Sequence, residues 1–360
     1  MPPPPPPHPH RRYAYVGCRT TRERNARGEG LSVFALDEQG TLRPVQQLRG
    51  LVNPSYLVLN RAGTRLYAVH GDQQEVSAFA VDRITGELHF LNQQDTQGRN
   101  PVHLALSPDE GVLVVVNHLG ASLAVLPLDA DGRLAPLAQL QPVQGPVGPH
   151  RAEQTQPKPH FVAFTPGGES LLVPDKGTDR VLCLRMRQGA LLPRLLDQTG
   201  LRAGAGPRHL VHHPQQPWSY VVNELDSTVT ACRREGAAGL LRPFQWHTTL
   251  PDDFLGDSRA AAIALDANGR TLYASNRGHD SIAVFEVDPA SGRLRWRQAQ
   301  STGGRTPRAF TLSPCGRWLF ALNEDSHTIA RLPVDPATGT LGAPEAHTET
   351  GSPTCLVFAP

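Results

Sequence analysis

One phrase recurs along this chain at a period of roughly 48 residues, and a repeat of that length confines the fold to architectures built from stacked supersecondary units. The phrase opens with a small residue and proline and continues as an apolar strand, a Pro/Gly turn and a second strand ending near Asn. A third strand ending in Asp follows, and then x-G-x-L. It appears as NPSYLVLNRAGTRLYAVHG from Asn53, NPVHLALSPDEGVLVVVNHLG from Asn100, KPHFVAFTPGGESLLVPDKG from Lys158 and GPRHLVHHPQQPWSYVVNELD from Gly206. It returns without the proline as SRAAAIALDANGRTLYASNRG from Ser258, and again as TPRAFTLSPCGRWLFALNEDS from Thr306. The prolines Pro54, Pro101, Pro159, Pro207, Pro307 and Pro353 are spaced by 47, 58, 48, 100 and 46, the 100 spanning the copy that lacks proline.

Each unit carries four short alternating segments, as in SIAVFEVD from Ser281, and no i, i+3, i+4 pattern persists. The chain is therefore expected to be all-β. Six full units leave two fragments. SPTCLVFAP from Ser352 supplies only a first strand, and YAYVG, LSVFALD and LRPVQQL supply only the second to fourth. Joined, they make a seventh unit, and such closure removes the exposed sheet edges of a linear array. The expectation is a seven-bladed β-propeller with four-stranded antiparallel blades, the last closed by both chain ends, forming one domain over residues 13–360. Residues 1–12, beginning MPPPPPPHPH, read as a disordered proline-rich tail, because proline donates no hydrogen bond to a sheet.

Composition narrows the partners. A net charge of +2 gives no field for nucleic acid or an anionic membrane, and no run of about 18 apolar residues occurs. The five cysteines form no C-x-x-C, which argues against a disulfide framework and a zinc site. A cytoplasmic location is expected. Walker, dinucleotide, G-x-S-x-G and H-E-x-x-H motifs are absent, so no cofactor and no metal is expected.

In a propeller the first strand of each blade lines the central channel. Its beginning and the end of the second strand then open on one mouth. At the first position stand His160, Arg208 and Arg308, with Tyr56 and Val102 in earlier blades; at the second stand His70, Asn117, Asp175, Asn223 with Glu224, Asn276 with Arg277, and Asn323 with Glu324. Turn chemistry accounts for Asn117, Asn323 and Asp175. It does not account for three arginines, a glutamate and a histidine together, a combination that binds anions and shifts pKa values. The residue types support general acid–base work by His160 and Glu224, with arginines stabilising developing negative charge.

The strings PKPHFVAFTP, VPDKGTDRV, GAGPRHLVHHP, YVVNELDSTVT, LYASNRGHDSIAVFEVD and TPRAFTLSPCGRWLFALN resemble the seven-bladed propeller lactonase family, which includes bacterial 6-phosphogluconolactonases and fungal 3-carboxy-cis,cis-muconate lactonizing enzymes. By motif the resemblance implies catalytic roles for His160, Arg208, Glu224 and Arg277, the same four residues. Departures occur at Lys158, where members usually carry a second histidine, at Ala262, where they carry a glutamate, and at His70-Gly71. Arg308, Asn223, Asn276 and Asp175 are taken as substrate-binding candidates. So are His150 and Arg151, with Gln154 beside them, on the long loop GPVGPHRAEQTQ, which is expected to cover the mouth. The reading is a hydrolase of a sugar-acid lactone, with a small anionic lactone as partner. A muconate-type cyclase and a catalytically silent binding propeller are the alternatives.

Overall fold

Alternation along single strands sets the architecture. In the strand Trp218–Asn223, Trp218, Tyr220 and Val222 pack against Leu272, Ala274 and Phe285 of the following repeat, whereas Val221 packs against Leu172 and Val181 of the preceding one. A strand buried on both faces reads as a nearly continuous apolar run, and each repeat becomes a sheet wedged between two others.

The computed structural model describes residues 12–192, 195–236 and 238–360. Within them the chain forms seven antiparallel sheets, and the one short helical element is the 3-10 turn Arg22–Arg24. Blade 1 comprises Pro54–Leu59, Arg65–His70, Glu75–Val81 and Leu88–Asp95. Blade 2 comprises Pro101–Leu106, Val112–Asn117, Ser122–Pro127 and Gln139–Pro142. Blade 3 departs from the pattern: its inner strand is only Ala163–Phe164, followed by Ser170–Asp175 and Arg180–Arg187, and both Ala190–Leu191 and Asp197–Gly200 pair with the latter. Blade 4 comprises Pro207–His212, Trp218–Asn223, Thr228–Glu235 and Leu240–Thr248. Blade 5 comprises Arg259–Leu265, Thr271–Arg277, Ser281–Val287 and Leu294–Ser301. Blade 6 comprises Pro307–Leu312, Trp318–Asn323, Thr328–Pro333 and Ala346–Glu349.

Blade 7 is split as expected. Its inner strand Pro353–Phe358 pairs with Arg12–Cys18, in the register Ala14 to Phe358, Val16 to Leu356 and Gly17 to Cys355, and Gly30–Leu36 and Leu42–Arg49 complete the sheet. The first strand begins at Arg12, one residue inside the segment expected to be tail. The rest of that segment lies outside the described residues.

Seven hydrophobic clusters fill the seven junctions between consecutive blades, from Leu57, Leu66 and Phe79 against Tyr15 and Val33 round to Phe320 and Leu322 against Val16 and Phe34. The protein thus has no single core. Each blade is held by the two it touches, and the ring closes on itself.

Pairing across each first hairpin defines two rings of residues at one end of the channel. Pro207 lies opposite Asn223, Pro307 opposite Asn323, Pro101 opposite Asn117 and Pro159 opposite Asp175, and a bulge follows the proline in blades 1, 2, 4 and 6. The bulge leaves Ser55, Val102, Arg208, Arg308 and Thr354 out of the register, and these residues, with His160 of blade 3, whose amide donates to Pro174 O at 3.0 Å, stand at the mouth. In blade 1 this position belongs to Ser55, not to Tyr56, which was expected there; Tyr56 lies one residue deeper. In blade 5 the bulge follows Ala260, which pairs with Asn276, and Ala261 takes the equivalent place. The second ring is the residue after each second-strand partner of the proline position: Arg19, Gly71, His118, Lys176, Glu224, Arg277 and Glu324.

Candidate active site

The residue opposite the proline position in each second strand ties neighbouring elements together, and the residue after it is free to face the channel. Asn276 accepts from Thr249 Oγ1 at 2.6 Å and donates to Thr249 O at 2.7 Å and Ser281 Oγ at 3.3 Å. Asn223 donates to Thr228 Oγ1 at 2.9 Å and Thr230 Oγ1 at 3.0 Å. Asp175 accepts from the Lys158 and Gly177 amides at 2.6 and 2.9 Å, and burial pushes its carboxyl up to about 6 against those bonds. These three side chains, expected as substrate contacts, hold the strand ends through these bonds, while Asp175 Oδ2 and Asn223 Oδ1 are buried without a partner among the described residues.

Glu224 is the centre of the cluster. Lys176 Nζ donates to its Oε1 at 3.1 Å, Arg208 Nε and Arg277 Nη2 lie 3.0 and 3.2 Å from its Oε2, and Arg259 Nη1 stands 3.9 Å from Oε1. Burial alone pushes this carboxyl up, but Arg277, Lys176 and Arg208 outweigh it and hold Glu224 well below the usual carboxylate range. Arg208 approaches Glu224 as an ion pair without hydrogen-bond alignment; its aligned donor is Nη1, which reaches Ala261 O at 2.5 Å and His209 Nε2 at 3.1 Å. The bulge in the inner strand of blade 5 frees the Ala261 carbonyl for this contact. Burial, with Arg277 beside it, brings Arg208 down to about 9, while Glu224 acts in the opposite direction.

Four histidines surround the arginine. His160 lies 4.9 Å from His118 and 5.3 Å from His209, ring centre to ring centre, and His209 lies 5.7 Å from His103. Burial and then Arg208 keep His103, His160 and His209 far below the ordinary imidazole value, and burial with Lys176 brings His118 to about 3. All four are neutral in the folded protein. His160 Nδ1 is buried with no protein partner among the described residues. Below them Tyr56, His103, Phe161 and His209, each two residues after the repeat proline or in line with it, close the channel: Tyr56 to His103 is 4.3 Å, His103 to Phe161 3.9 Å and Phe161 to His209 4.8 Å.

The remaining expectations separate. Arg308 pairs with Glu324 at 3.4 Å on the rim. His150 and Arg151 are exposed on their loop, and it is Glu153 that reaches the cluster, 3.2 Å from Lys176 Nζ and 2.6 Å from Arg259 Nη1. Gln154 is buried and fixes the loop, donating to Lys176 O at 2.9 Å and Asp179 Oδ1 at 2.7 Å. Lys176, Glu153 and Arg259 escaped the sequence reading. Lys176 carried a signal, being one of two lysines in the chain and standing one residue after Asp175 as Glu224 does after Asn223. Among the described residues no three His, Cys, Asp or Glu side chains gather as metal ligands would.

Comparison with known proteins agrees with this geometry. Residues 13–358 match the family model described as lactonase, 7-bladed beta-propeller. The chain is 35% identical to a 6-phosphogluconolactonase of Bacillus subtilis (strain 168), over 78% of this chain and 80% of that one. The periplasmic gluconolactonase of Pseudomonas aeruginosa superposes with a TM-score of 0.88 at 32% identity, covering 98% of this chain and 99% of the other. A Bacteroides fragilis chain provisionally designated 6-phosphogluconolactonase superposes with a TM-score of 0.90 at 31% identity, covering 97% and 98%. The chain belongs to the seven-bladed β-propeller lactonase family.

Proposed function

We propose that the protein hydrolyses a sugar-acid lactone bearing an anionic group, of the kind the 6-phosphogluconolactonases act on, with His160, Arg208, Glu224 and Arg277 at the reacting centre. The observation that carries this reading is the buried carboxylate of Glu224 ringed by Arg208, Arg277, Lys176 and Arg259 beside a neutral histidine. With Glu153 included, four cations face two carboxylates, and the surplus positive charge draws an anion into a mouth where water is scarce.

Roles follow from the charges. Glu224 is stabilised as an anion so strongly that it is a poor base; it holds the cations in place. His160 is likewise held far below the ordinary imidazole value, by burial and then Arg208; the anionic ligand offsets the surrounding cations, and His160 then accepts a proton from water as the water attacks the lactone carbonyl. Arg208 and Arg277 stabilise the oxygen as it gains negative charge. Collapse of the tetrahedral intermediate breaks the ring C–O bond, and the alkoxide takes the proton from His160.

The five cysteines are unpaired, which fits a reducing compartment, and we place the protein in the cytoplasm; no helix among the described residues is long and apolar enough to cross a membrane. The test of function is hydrolysis of 6-phosphogluconolactone and gluconolactone, corrected for spontaneous opening. Acceleration is expected for both and more for the phosphorylated substrate. Rates equal with and without enzyme would reject the reading.

A further inference from the structure

Lys176 and Arg259 together already hold a carboxylate. Glu153 Oε1 lies 2.6 Å from Arg259 Nη1 and its Oε2 lies 3.2 Å from Lys176 Nζ, so one planar anion spans two cations carried by blades 5 and 3. That is the geometry a phosphate or carboxylate of a ligand requires, with one oxygen to each positive donor. Glu153 is not part of the propeller framework. It comes from residues 145–156, the segment that stretches the spacing between Pro101 and Pro159 to 58.

The loop is fixed while the side chain is free to move. Gln154 anchors the backbone through Lys176 O and Asp179 Oδ1, and Lys158 Nζ donates to Glu153 O at 2.6 Å. The Glu153 side chain, by contrast, is 24% exposed and ends in a flexible carboxylate, and Arg259 is 46% exposed. Turning Glu153 outward breaks only its two ion pairs with Lys176 and Arg259 and leaves the backbone anchors of the loop in place. Lys176 and Arg259 also point toward Glu224, so an anion seated between them is held beside the reacting centre.

We propose that Lys176 and Arg259 form the seat for the anionic group of the ligand and that Glu153 is its resident occupant, displaced when the ligand binds. No covalent bond changes; one carboxylate leaves two cations and another anion takes them. The identity of the ligand as a phosphorylated aldonate rests on the lactonase reading, whereas the seat is a property of the charges. Glu153 then sets selectivity. A weakly charged anion fails to displace it, and a dianionic phosphate ester succeeds.

The test is calorimetric titration of the full-length protein with 6-phosphogluconate and with gluconate, at fixed ionic strength, for wild type, Glu153→Gln, Arg259→Gln and the double variant. Glu153→Gln should tighten 6-phosphogluconate binding by about 2- to 5-fold and Arg259→Gln should weaken it by a similar factor, the range for partly exposed ion pairs. Gluconate affinity should move by less than about twofold in both, since it lacks the phosphate. In the double variant the tightening should shrink, because Glu153 competes through Arg259 as well as through Lys176. Unchanged or weaker binding by Glu153→Gln, additive effects in the double variant, or no binding of 6-phosphogluconate by any of the four proteins would overturn the proposal. A wild type that binds the phosphate as described but hydrolyses no lactone would remove the lactonase reading and leave the seat standing. An active lactonase whose affinity ignores Glu153 would do the reverse.

Discussion

Glu224 accepts charge from several directions, and its replacement therefore disturbs more than one interaction. Glu224→Gln keeps shape and a bond to Lys176 but leaves Arg208 and Arg277 buried without a counter-charge. Removing one partner of a buried pair costs about 3–5 kcal/mol, so this variant should show a lower urea midpoint as well as lost turnover, and added phosphate should restore part of the stability. His160→Ala removes the proposed base without unbalancing charge. Its kcat should fall by about 10²–10⁴ with KM little changed, and its urea midpoint, lowered by loss of the buried ring, should not recover with added phosphate as that of Glu224→Gln does; steady-state kinetics beside equilibrium unfolding separates the two cases. Arg208 joins Glu224, Ala261 O and His209 from one planar group, a task that lysine cannot repeat. At this scale the sequence was informative where a repeat position carried an unexpected residue type. His160, Arg208, Glu224 and Arg277 stand where the pattern predicts small or turn residues, and so were visible. Arg259 was not, because it precedes the bulge in the one copy lacking proline, and Glu153 was not, because a loop has no period to violate.

The residue opposite the proline position and its successor divide structural and chemical work between adjacent positions. Asn223, Asn276 and Asp175 are spent on hydrogen bonds within and between blades, and a one-residue step carries the chain to Glu224, Arg277 and Lys176 at the mouth. Sequence patterns place such residues to within a residue or so, which is why the holding and the facing side chains were first grouped together. The bulges explain the similar slip at Tyr56: an extra residue after each proline changes which side chain faces the mouth. At Gly71 the second ring has no side chain, since a Cβ there would collide with the Arg19 guanidinium and Ser55. The loop over residues 145–156 gives a direct prediction. Gln154→Ala deletes its buried anchor, so proteolytic cleavage and amide exchange within 145–156 should accelerate, while the inner strands exchange as before; a uniform increase across all blades would contradict a local role.

Seven junctions rather than one core make the whole molecule depend on closure. Cys355 packs into the cluster with Leu57 and Phe79, and Leu356 into the one with Phe320 and Ile329. Deleting residues 353–360 therefore opens two junctions and bares the edge of Arg12–Cys18. The truncated chain should lose its cooperative thermal transition and aggregate, as followed by calorimetry and size-exclusion chromatography. Closure was legible because two fragments, each incomplete, complement one another across 300 residues or more of chain. The broader blade 3 was not, since its extra pairing comes from a segment without the repeat's alternation.

Acid stability is also a property of the whole ring. His103, His118, His160 and His209 stay neutral when folded and take up protons when unfolded, near the ordinary value of 6.5. The unfolded state then binds more protons, so stability falls as pH drops below about 6.5, each histidine contributing one proton to the slope. Glu224 adds its loss below 4.5 in the same direction, whereas Asp175, raised to about 6, opposes the trend as it gains its proton. Urea midpoints should decline steeply between pH 6.5 and 4.5, with a net uptake from these groups of about three protons on unfolding, four from the histidines less one from Asp175; a flat profile there would mean the histidines are solvated.

The aromatic and imidazole rings of Tyr56, His103, Phe161 and His209 stop the channel beneath Arg208, and on their far side Tyr56, His103 and Phe161 border a separate cavity of about 470 Å³. A ligand consequently enters and leaves by one door. On the lactonase reading the ring-opened acid departs with one more negative charge than the lactone brought, past the same cations that drew the lactone in. Accumulated acid therefore competes with fresh substrate for the same doorway, and added 6-phosphogluconate should slow hydrolysis of the lactone.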